Sequence, residues 1–302
     1  MRIIFMGTPN YAEAILERII NTADMDVVAV YTQPDKPVGR KKVMTPPVVK
    51  TLAQKHMIDV YQPNRLRDAD TVEELLKIEA DFIVVAAYGQ ILPLEILQHA
   101  PCINLHASIL PAYRGASPIQ QTLLNGDIKT GVTAMLMDVG LDTGDILKID
   151  EIDVSDDEMV ETLFERLTLT ATELTIDVLK NFNSYTPVKQ NDSLATHCAK
   201  ISKQDGEVSF TNATELYNKY RAFTPWPAIY LESGLKLKSI KLEDRDSSNE
   251  SGKILSIDKD SIVVGCKKGS VRIFKVQPAS KKEMDILSYI NGKRLSLADT
   301  LA

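Results

Sequence analysis

Cysteine is scarce in this sequence. The three present, Cys102, Cys198 and Cys266, are odd in number, far apart and never arranged as Cys-x-x-Cys. That pattern implies neither a disulfide framework nor a zinc knuckle, and it predicts a protein kept in a reducing cytoplasm. Long apolar runs are missing as well. The longest, Phe82-Ile-Val-Val-Ala-Ala-Tyr88, is strand-sized, far short of the ~20 residues that a membrane-spanning helix needs. The opening Met1-Arg-Ile-Ile-Phe-Met-Gly7 passes into a Gly-Thr-Pro turn too soon for a signal peptide. The Gly-x-Gly-x-x-Gly fingerprint is absent, and Pro9 removes a backbone N–H where a pyrophosphate would want it, which argues against nicotinamide binding. No grouping of His, Cys and carboxylates has metal-ligand spacing. These absences predict a soluble intracellular protein without membrane attachment or a metal.

What is present is the composition of an ordinary globular chain: 302 residues, 44% hydrophobic and 25% charged. At about 100–200 residues per domain, the length predicts two domains. The net charge of −6 hides a split. Residues 1–209 hold 19 Lys and Arg against 30 Asp and Glu, a balance of −11, whereas residues 210–302 hold 16 against 11, a balance of +5. Such asymmetry points to a polyanion-binding module attached to something else, or to a solvated basic surface.

Apolar strand-like runs alternate with amphipathic helical stretches through the first 150 residues. Strands are expected at Ile3–Met6, Val27–Tyr31, Phe82–Ala87, Cys102–His106, Val132–Met137 and Ile146–Ile152, and helices at Tyr11–Ile20, Pro47–Lys55, Val72–Ile78 and Ile119–Leu124. Continuous apolar strands separated by helices predict an α/β, doubly wound, mostly parallel sheet covered on both faces. A long helix is expected from Asp157 to about Phe182, with Ser155 as its cap. After a connecting stretch around Pro187 and Gln190-Asn-Asp-Ser193 and a helix at Thr214–Arg221, five short strands follow between Ile229 and Lys275. They predict a small OB-like β-barrel. The expected organisation is thus residues 1–183, a linker over 184–206, and a barrel over 207–302.

The densest unusual region is Asn104-Leu-His-Ala-Ser-Ile-Leu-Pro-Ala-Tyr-Arg-Gly-Ala-Ser-Pro118. Alternation along a strand puts Asn104 and His106 on one face, at the carboxyl edge where open α/β sheets place ligands. An Asp-rich loop, Gly140-Leu-Asp-Thr-Gly-Asp145, follows the next strand and could bring Asp142 beside them. A lone histidine is more often structural, but these neighbours favour function. An Asn, a His and an Asp without a nearby nucleophile describe acid–base and oxyanion work. Ser108 is followed by Ile-Leu-Pro rather than set in Gly-x-Ser-x-Gly, so a turn role is expected for it.

Gln33–Pro47 carries Lys36, Arg40, Lys41 and Lys42 among four prolines and a glycine, with Asp35 its single acid. The prolines and glycine predict a partly ordered insertion. Its positive charge in an acidic domain suits phosphate contact, although a solvated surface loop would look similar.

Taken together, Phe5-Met-Gly-Thr-Pro9, Gln33-Pro-Asp-Lys-Pro-Val-Gly-Arg40, Ala87-Tyr-Gly-Gln-Ile-Leu-Pro93, Asn104-Leu-His-Ala-Ser-Ile-Leu-Pro111, Arg114-Gly-Ala-Ser-Pro-Ile-Gln120, Gly140–Asp145 and Arg221-Ala-Phe-Thr-Pro-Trp-Pro227 resemble the methionyl-tRNA formyltransferases over the whole chain. The family's usual Trp-Pro-Gly turn reads Trp226-Pro-Ala228 here. The resemblance implies formyl transfer from 10-formyltetrahydrofolate to the methionine of initiator Met-tRNA, through a tetrahedral intermediate. Asn104 and protonated His106 would bind its oxyanion, and Asp142 would hold His106 charged and help remove the amine proton. It also implies folate binding along Ala87, Tyr88, Gly89, Gln90, Ile91 and Leu92, with Asp138 and the Ser108, Ile109, Leu110 and Pro111 slot. It further implies tRNA contact by Lys36, Arg40, Lys41 and Lys42 and by the barrel, no metal, and a monomer. A formyltransferase acting on a nucleotide-linked amino sugar would share the Asn104/His106/Asp142 site without needing the basic loop. A non-catalytic folate- or tRNA-binding module would not need the trio.

Overall fold

Central strands form where the apolar runs are unbroken. The computed structural model of the chain describes residues 1–39 and 41–301. These fall into two units, one of Met1–Pro118, Lys129–Asp153 and Phe164–Cys198, the other of Ile119–Ile128, Val154–Leu163 and the chain from Ala199 onward. From the start the elements are β1 (Arg2–Gly7), α1 (Asn10–Ile20), β2 (Asp26–Tyr31), β3 (Lys36–Val38), β4 (Val43–Thr45), α2 (Val48–Lys55), β5 (Val60–Tyr61) and α3 (Ala69–Leu76). There follow β6 (Phe82–Ala86), α4 (Leu94–Leu97), β7 (Cys102–His106), β8 (Arg114–Gly115), α5 (Pro118–Asn125), β9 (Lys129–Leu136), β10 (Ile146–Asp153), α6 (Val160–Lys180) and β11 (His197–Cys198).

In the first unit seven strands lie in the order β10-β9-β7-β6-β1-β2-β5. The five from β7 to β5 are parallel, and β9 and β10 add antiparallel at one edge. This is the doubly wound, mostly parallel sheet expected from the sequence. Its middle is dry: Ile3, Ile4, Phe5 and Met6 of β1 are fully buried, so both faces of that strand are covered. Helix α1 packs through Ala12, Ile15, Leu16 and Ile19, four positions that share one face at helical spacing. The chain winds from β1 out to β2 and β5, then returns to β6 on the other side of β1. That reversal falls between the carboxyl ends of β1 and β6, where open α/β sheets place their ligands. Gly7 closes β1 there, and a Cβ on it would come within 2.4 Å of Ala12 Cβ and 2.9 Å of Ala86 O. Only glycine lets helix and strand approach so closely.

The structure corrects two expectations in these segments. Helix α6 starts at Val160, not Asp157, and Ser155 does not cap it. The Ser155 hydroxyl donates to Asp157 Oδ1 (3.0 Å) and its carbonyl accepts from Glu158 N (3.1 Å), so a separate turn precedes the helix. The basic insertion is a two-stranded hairpin, with Lys36 opposite Thr45 and Val38 opposite Val43.

The second unit carries α7 (Ala213–Phe223), β12 (Ile229–Tyr230), β13 (Lys236–Asp244), β14 (Ile254–Ile257), β15 (Ile262–Gly265), β16 (Ser270–Gln277), β17 (Met284–Asp285) and α8 (Ile286–Lys293). Asn212 caps α7 by accepting from the backbone N–H of Thr214 (3.0 Å) and Glu215 (3.4 Å). The strands form an antiparallel, barrel-like sheet in the order β12-β13-β16-β15-β14, with β17 beside β16. Its core is Ile240, Ile254, Ile262, Val264, Val271 and Ile273. Strand β17 and helix α8 went unread in the sequence, because their apolar positions are few and short-ranged. Ala228 takes φ +64°, the left-handed conformation that the family's glycine would adopt without strain. Among the described residues, no helix is long and apolar enough to cross a membrane.

Candidate active site

Strand β7 is buried along its whole length, yet it carries two polar side chains, Asn104 and His106, on one face. A buried polar group is costly unless it is hydrogen-bonded, and both find partners close by. The loop between β9 and β10 returns Asp142 to this face, where its Oδ1 accepts from Asn104 Nδ2 (3.3 Å). The other oxygen, Oδ2, accepts from the backbone N–H of Gly115 (2.9 Å) and lies 3.7 Å from His106 Nδ1. His106 Nε2 is 2.9 Å from the carbonyl of Tyr113. A carbonyl only accepts, so Nε2 carries a proton and Nδ1 is the ring nitrogen left facing the carboxylate. The side chains of His106 and Asp142 are 7% and 11% exposed, enough to meet a small reacting group and too little for bulk water to screen them. Three residues at left-handed φ surround the cluster: Ala87 at +45°, Tyr113 at +60° and Asp142 at +54°. Strained backbone of this kind persists where the surroundings hold it firmly.

The two segments expected to flank a folate differ in how they are held. In Ala87–Leu92, Tyr88 and Leu92 are core anchors, 2% exposed each, while Ala87, Gly89 and Ile91 are turned outward. Gln90 clamps this loop from behind by accepting from Leu66 N (2.7 Å) and donating to Pro63 O (3.1 Å). Ser108–Pro111 is a packed turn. Ser108 Oγ donates to Ala112 O (2.6 Å), which is the turn role expected of it. Thr133 Oγ1 donates to Ser108 O (2.6 Å) and accepts from Leu110 N (3.1 Å). Leu110 is buried, and Ile109 and Pro111 keep part of their surface. Asp138 is exposed, and its carboxylate closes the neighbouring loop by accepting from Gly140 N (2.9 Å) and Thr143 Oγ1 (2.6 Å).

Lys36, Lys41 and Lys42 all lie exposed on the β3–β4 hairpin, and Arg40 lies outside the described residues. Val38, Val43 and Met44 of the same hairpin are more than half exposed. Its base is tied down by Asp35, which accepts from Gln62 Nε2 (2.8 Å) and Lys50 Nζ (2.9 Å). These hydrogen bonds, Gln62 first, hold the Asp35 carboxyl below its ordinary pKa.

Sequence reasoning passed over two residues that support the cluster, Arg114 and Gln190. Both are buried, at 4% and 5% exposure. Arg114 stood out only as part of a motif, and Gln190 sits in an aperiodic polar stretch that offers no signal at all. They meet because Val188 bridges Ile146 beside the Asp142 loop and because β8 pairs in parallel with β11. Among the described residues, no group of three or more His, Cys, Asp and Glu side chains is placed to hold a metal ion.

Residues 1–179 match the family profile described as formyl transferase, and residues 200–294 match the formyl transferase C-terminal domain. The chain is 70% identical over 302 residues to methionyl-tRNA formyltransferase of Sulfurimonas denitrificans, covering 100% of both chains. It is 57% identical to that of a Nitratiruptor species, over 99% of each. Among solved structures, an N-formyltransferase from Helicobacter canadensis aligns with a TM-score of 0.70 at 20% identity, over 91% of this chain and 99% of that one. That likeness shows the fold alone, whereas full-length identity of this order with the curated relatives shows the family. The chain belongs to the methionyl-tRNA formyltransferases.

Proposed function

We propose that this protein moves the formyl group of 10-formyltetrahydrofolate onto the methionine amino group of initiator Met-tRNA, giving formylmethionyl-tRNA. The observation that carries the reading is the convergence of Asn104, His106 and Asp142 at the carboxyl edge of the sheet. As the amine attacks, a C–N bond forms, the bond from the formyl carbon to folate N10 breaks, and the amine's proton passes to N10. Negative charge develops on the formyl oxygen meanwhile. Asn104 Nδ2 keeps a second N–H beyond the one given to Asp142, and it would face that oxygen together with the Nδ1–H of protonated His106, which would be shared with the carboxylate 3.7 Å away. Asp142 keeps the imidazolium oriented and, through water, relays the amine proton to the leaving N10.

The outward backbone of Ala87, Tyr88, Gly89, Gln90, Ile91 and Leu92, with Ser108, Ile109, Leu110, Pro111 and Asp138, would border the folate. Lys36, Arg40, Lys41 and Lys42 would contact tRNA phosphates, helped by the +5 balance of residues 210–302. In this reading residues 1–183 are the catalytic domain, 184–206 the linker and 207–302 the tRNA-binding barrel. The site is complete within one chain, which supports a monomer, and three buried free thiols support a cytoplasmic setting.

The test offers the protein three acceptors with 10-formyltetrahydrofolate: initiator Met-tRNA, elongator Met-tRNA and a nucleotide-linked amino sugar. Rapid formylation of the first is the expected result. Formylation of the sugar with neither tRNA modified would overturn the reading.

A further inference from the structure

A buried arginine and a buried glutamine hold the backbone of the loop that carries Asp142. Arg114 Nε and Nη2 both donate to Gln190 Oε1, at 3.0 and 2.8 Å. That double donation dictates which end of the amide is oxygen. The opposite end, Nε2, then donates to the carbonyls of Asp142 (2.9 Å) and Gly144 (2.8 Å). The amide is therefore oriented from both sides, and it grips the catalytic loop on either side of Thr143.

The grip has something to hold. Asp142 sits at φ +54°, a left-handed conformation that a non-glycine residue keeps where its surroundings hold it. The loop also lies flush on β9, since a Cβ at Gly144 would overlap Leu136 O at 1.7 Å. With its carbonyl held by Gln190 and its Oδ2 held by the Gly115 N–H, the Asp142 side chain has one placement. That placement sets the 3.7 Å gap to His106 Nδ1. Arg114 is fixed in its turn: its Nη2 also donates to Asp192 Oδ1 (2.8 Å), and its backbone N–H donates to Thr196 O (2.9 Å).

We infer that Gln190, oriented by Arg114, is a positioning residue for the formyl-transfer step and acts through Asp142. The inference rests on the catalytic role proposed above for Asp142. Reacting groups misplaced by about 1 Å can lose ~100-fold in rate, and a loop relaxed from its left-handed turn moves its carboxylate by that order.

The decisive variant is Gln190→Glu in the full-length protein. It keeps shape, packing and the pairing with Arg114, but turns an acceptor oxygen toward two carbonyls that need a donor. Single-turnover formylation of initiator Met-tRNA with 10-formyltetrahydrofolate is measured for wild type, Gln190→Glu, Asp142→Ala and the double variant, each checked by circular dichroism. We expect Gln190→Glu to be slower by ~100-fold. In the Asp142→Ala background it should add less than about twofold, because two residues acting through one group are not additive.

A Gln190→Glu rate within about twofold of wild type, alongside an impaired Asp142→Ala, would sink the inference and leave the catalytic reading intact. Full multiplication of the two losses would also sink it, since Gln190 would then act elsewhere. A wild-type rate in Asp142→Ala would remove the catalytic reading itself. Should Gln190→Glu not fold, Gln190→Met keeps a similar volume, removes both donors and is held to the same outcomes.

Discussion

The cluster around His106 and the β3–β4 hairpin lie in the same unit and are built on opposite terms. In the cluster the buried side chains are held by hydrogen bonds, from Tyr113 O on His106 Nε2 to the Gly115 N–H on the Asp142 carboxylate. On the hairpin Lys36, Lys41 and Lys42 stand in solvent, and among the described residues no carboxylate pairs with them. On the function proposed above, the difference follows from two tasks. Stabilising charge that appears for an instant requires donors already in place, since reorganisation at that moment would raise the barrier. Meeting a polyanion requires cations that are free to follow its phosphates, and much of the gain comes from released counterions.

The comparison breaks first if the buried cluster tolerates change. Asn104→Ala, His106→Ala and Asp142→Ala are each expected to lower the single-turnover rate by ~10²–10³-fold with the fold retained. A folded variant with a near-normal rate would take that residue out of the mechanism.

Two glycines sharpen the contrast. Gly7 sits at the end of β1 against Ala12 and Ala86, so Gly7→Ala should cost about 1–3 kcal/mol through overpacking. Gly39 turns the hairpin at φ +72° with open space around it. Gly39→Ala should cost only its own backbone strain, about 1 kcal/mol. Thermal denaturation of the pair decides: equal losses would mean that the hairpin is as tightly packed as the sheet.

The hairpin's charges should tell in salt dependence rather than in rate. Arg40→Ala is expected to lower the slope of log K against log salt for Met-tRNA by roughly one unit, with folate affinity unchanged. An unchanged slope would make the hairpin an ordinary surface insertion and move tRNA contact elsewhere.

Between these extremes lies Asp177, which accepts from Tyr185 and Lys148 at about one-third exposure. The Tyr185 hydroxyl first, then Lys148, holds its carboxyl below the ordinary 3.8. A lowered carboxyl stabilises the fold above its unfolded pKa, and the contribution fades as pH falls through the folded value. Asp177→Asn should therefore lower the unfolding free energy by about a few tenths of a kcal/mol given solvent screening, seen as a small fall in Tm. That gap should stay constant from neutral pH to about 4 and close below it. A gap that widens in acid would contradict the assigned direction.

Much of this molecule was legible in one dimension, because the relevant physics is local. Unbroken apolar runs such as Ile3–Met6 have one solution, a strand covered on both faces, and strict alternation along Cys102–His106 puts Asn104 beside His106 whatever surrounds them. The run of short strands after Pro227 likewise announces an antiparallel barrel-like sheet. What the chain could not declare are the partnerships between distant residues. A glycine and four cations among prolines suggest a loose loop, yet Val38 and Val43 fall into register as a hairpin. Ser155 looks like a helix cap until its hydroxyl meets Asp157. Above all, Gln190 lies 48 residues from Asp142 in a stretch without periodicity. The Val188–Ile146 bridge, together with the pairing of β8 with β11, brings its amide to the carbonyl that needs it. Side-chain hydrogen bonds depend on three-dimensional approach within a few tenths of an ångström, and no spacing along the chain encodes that.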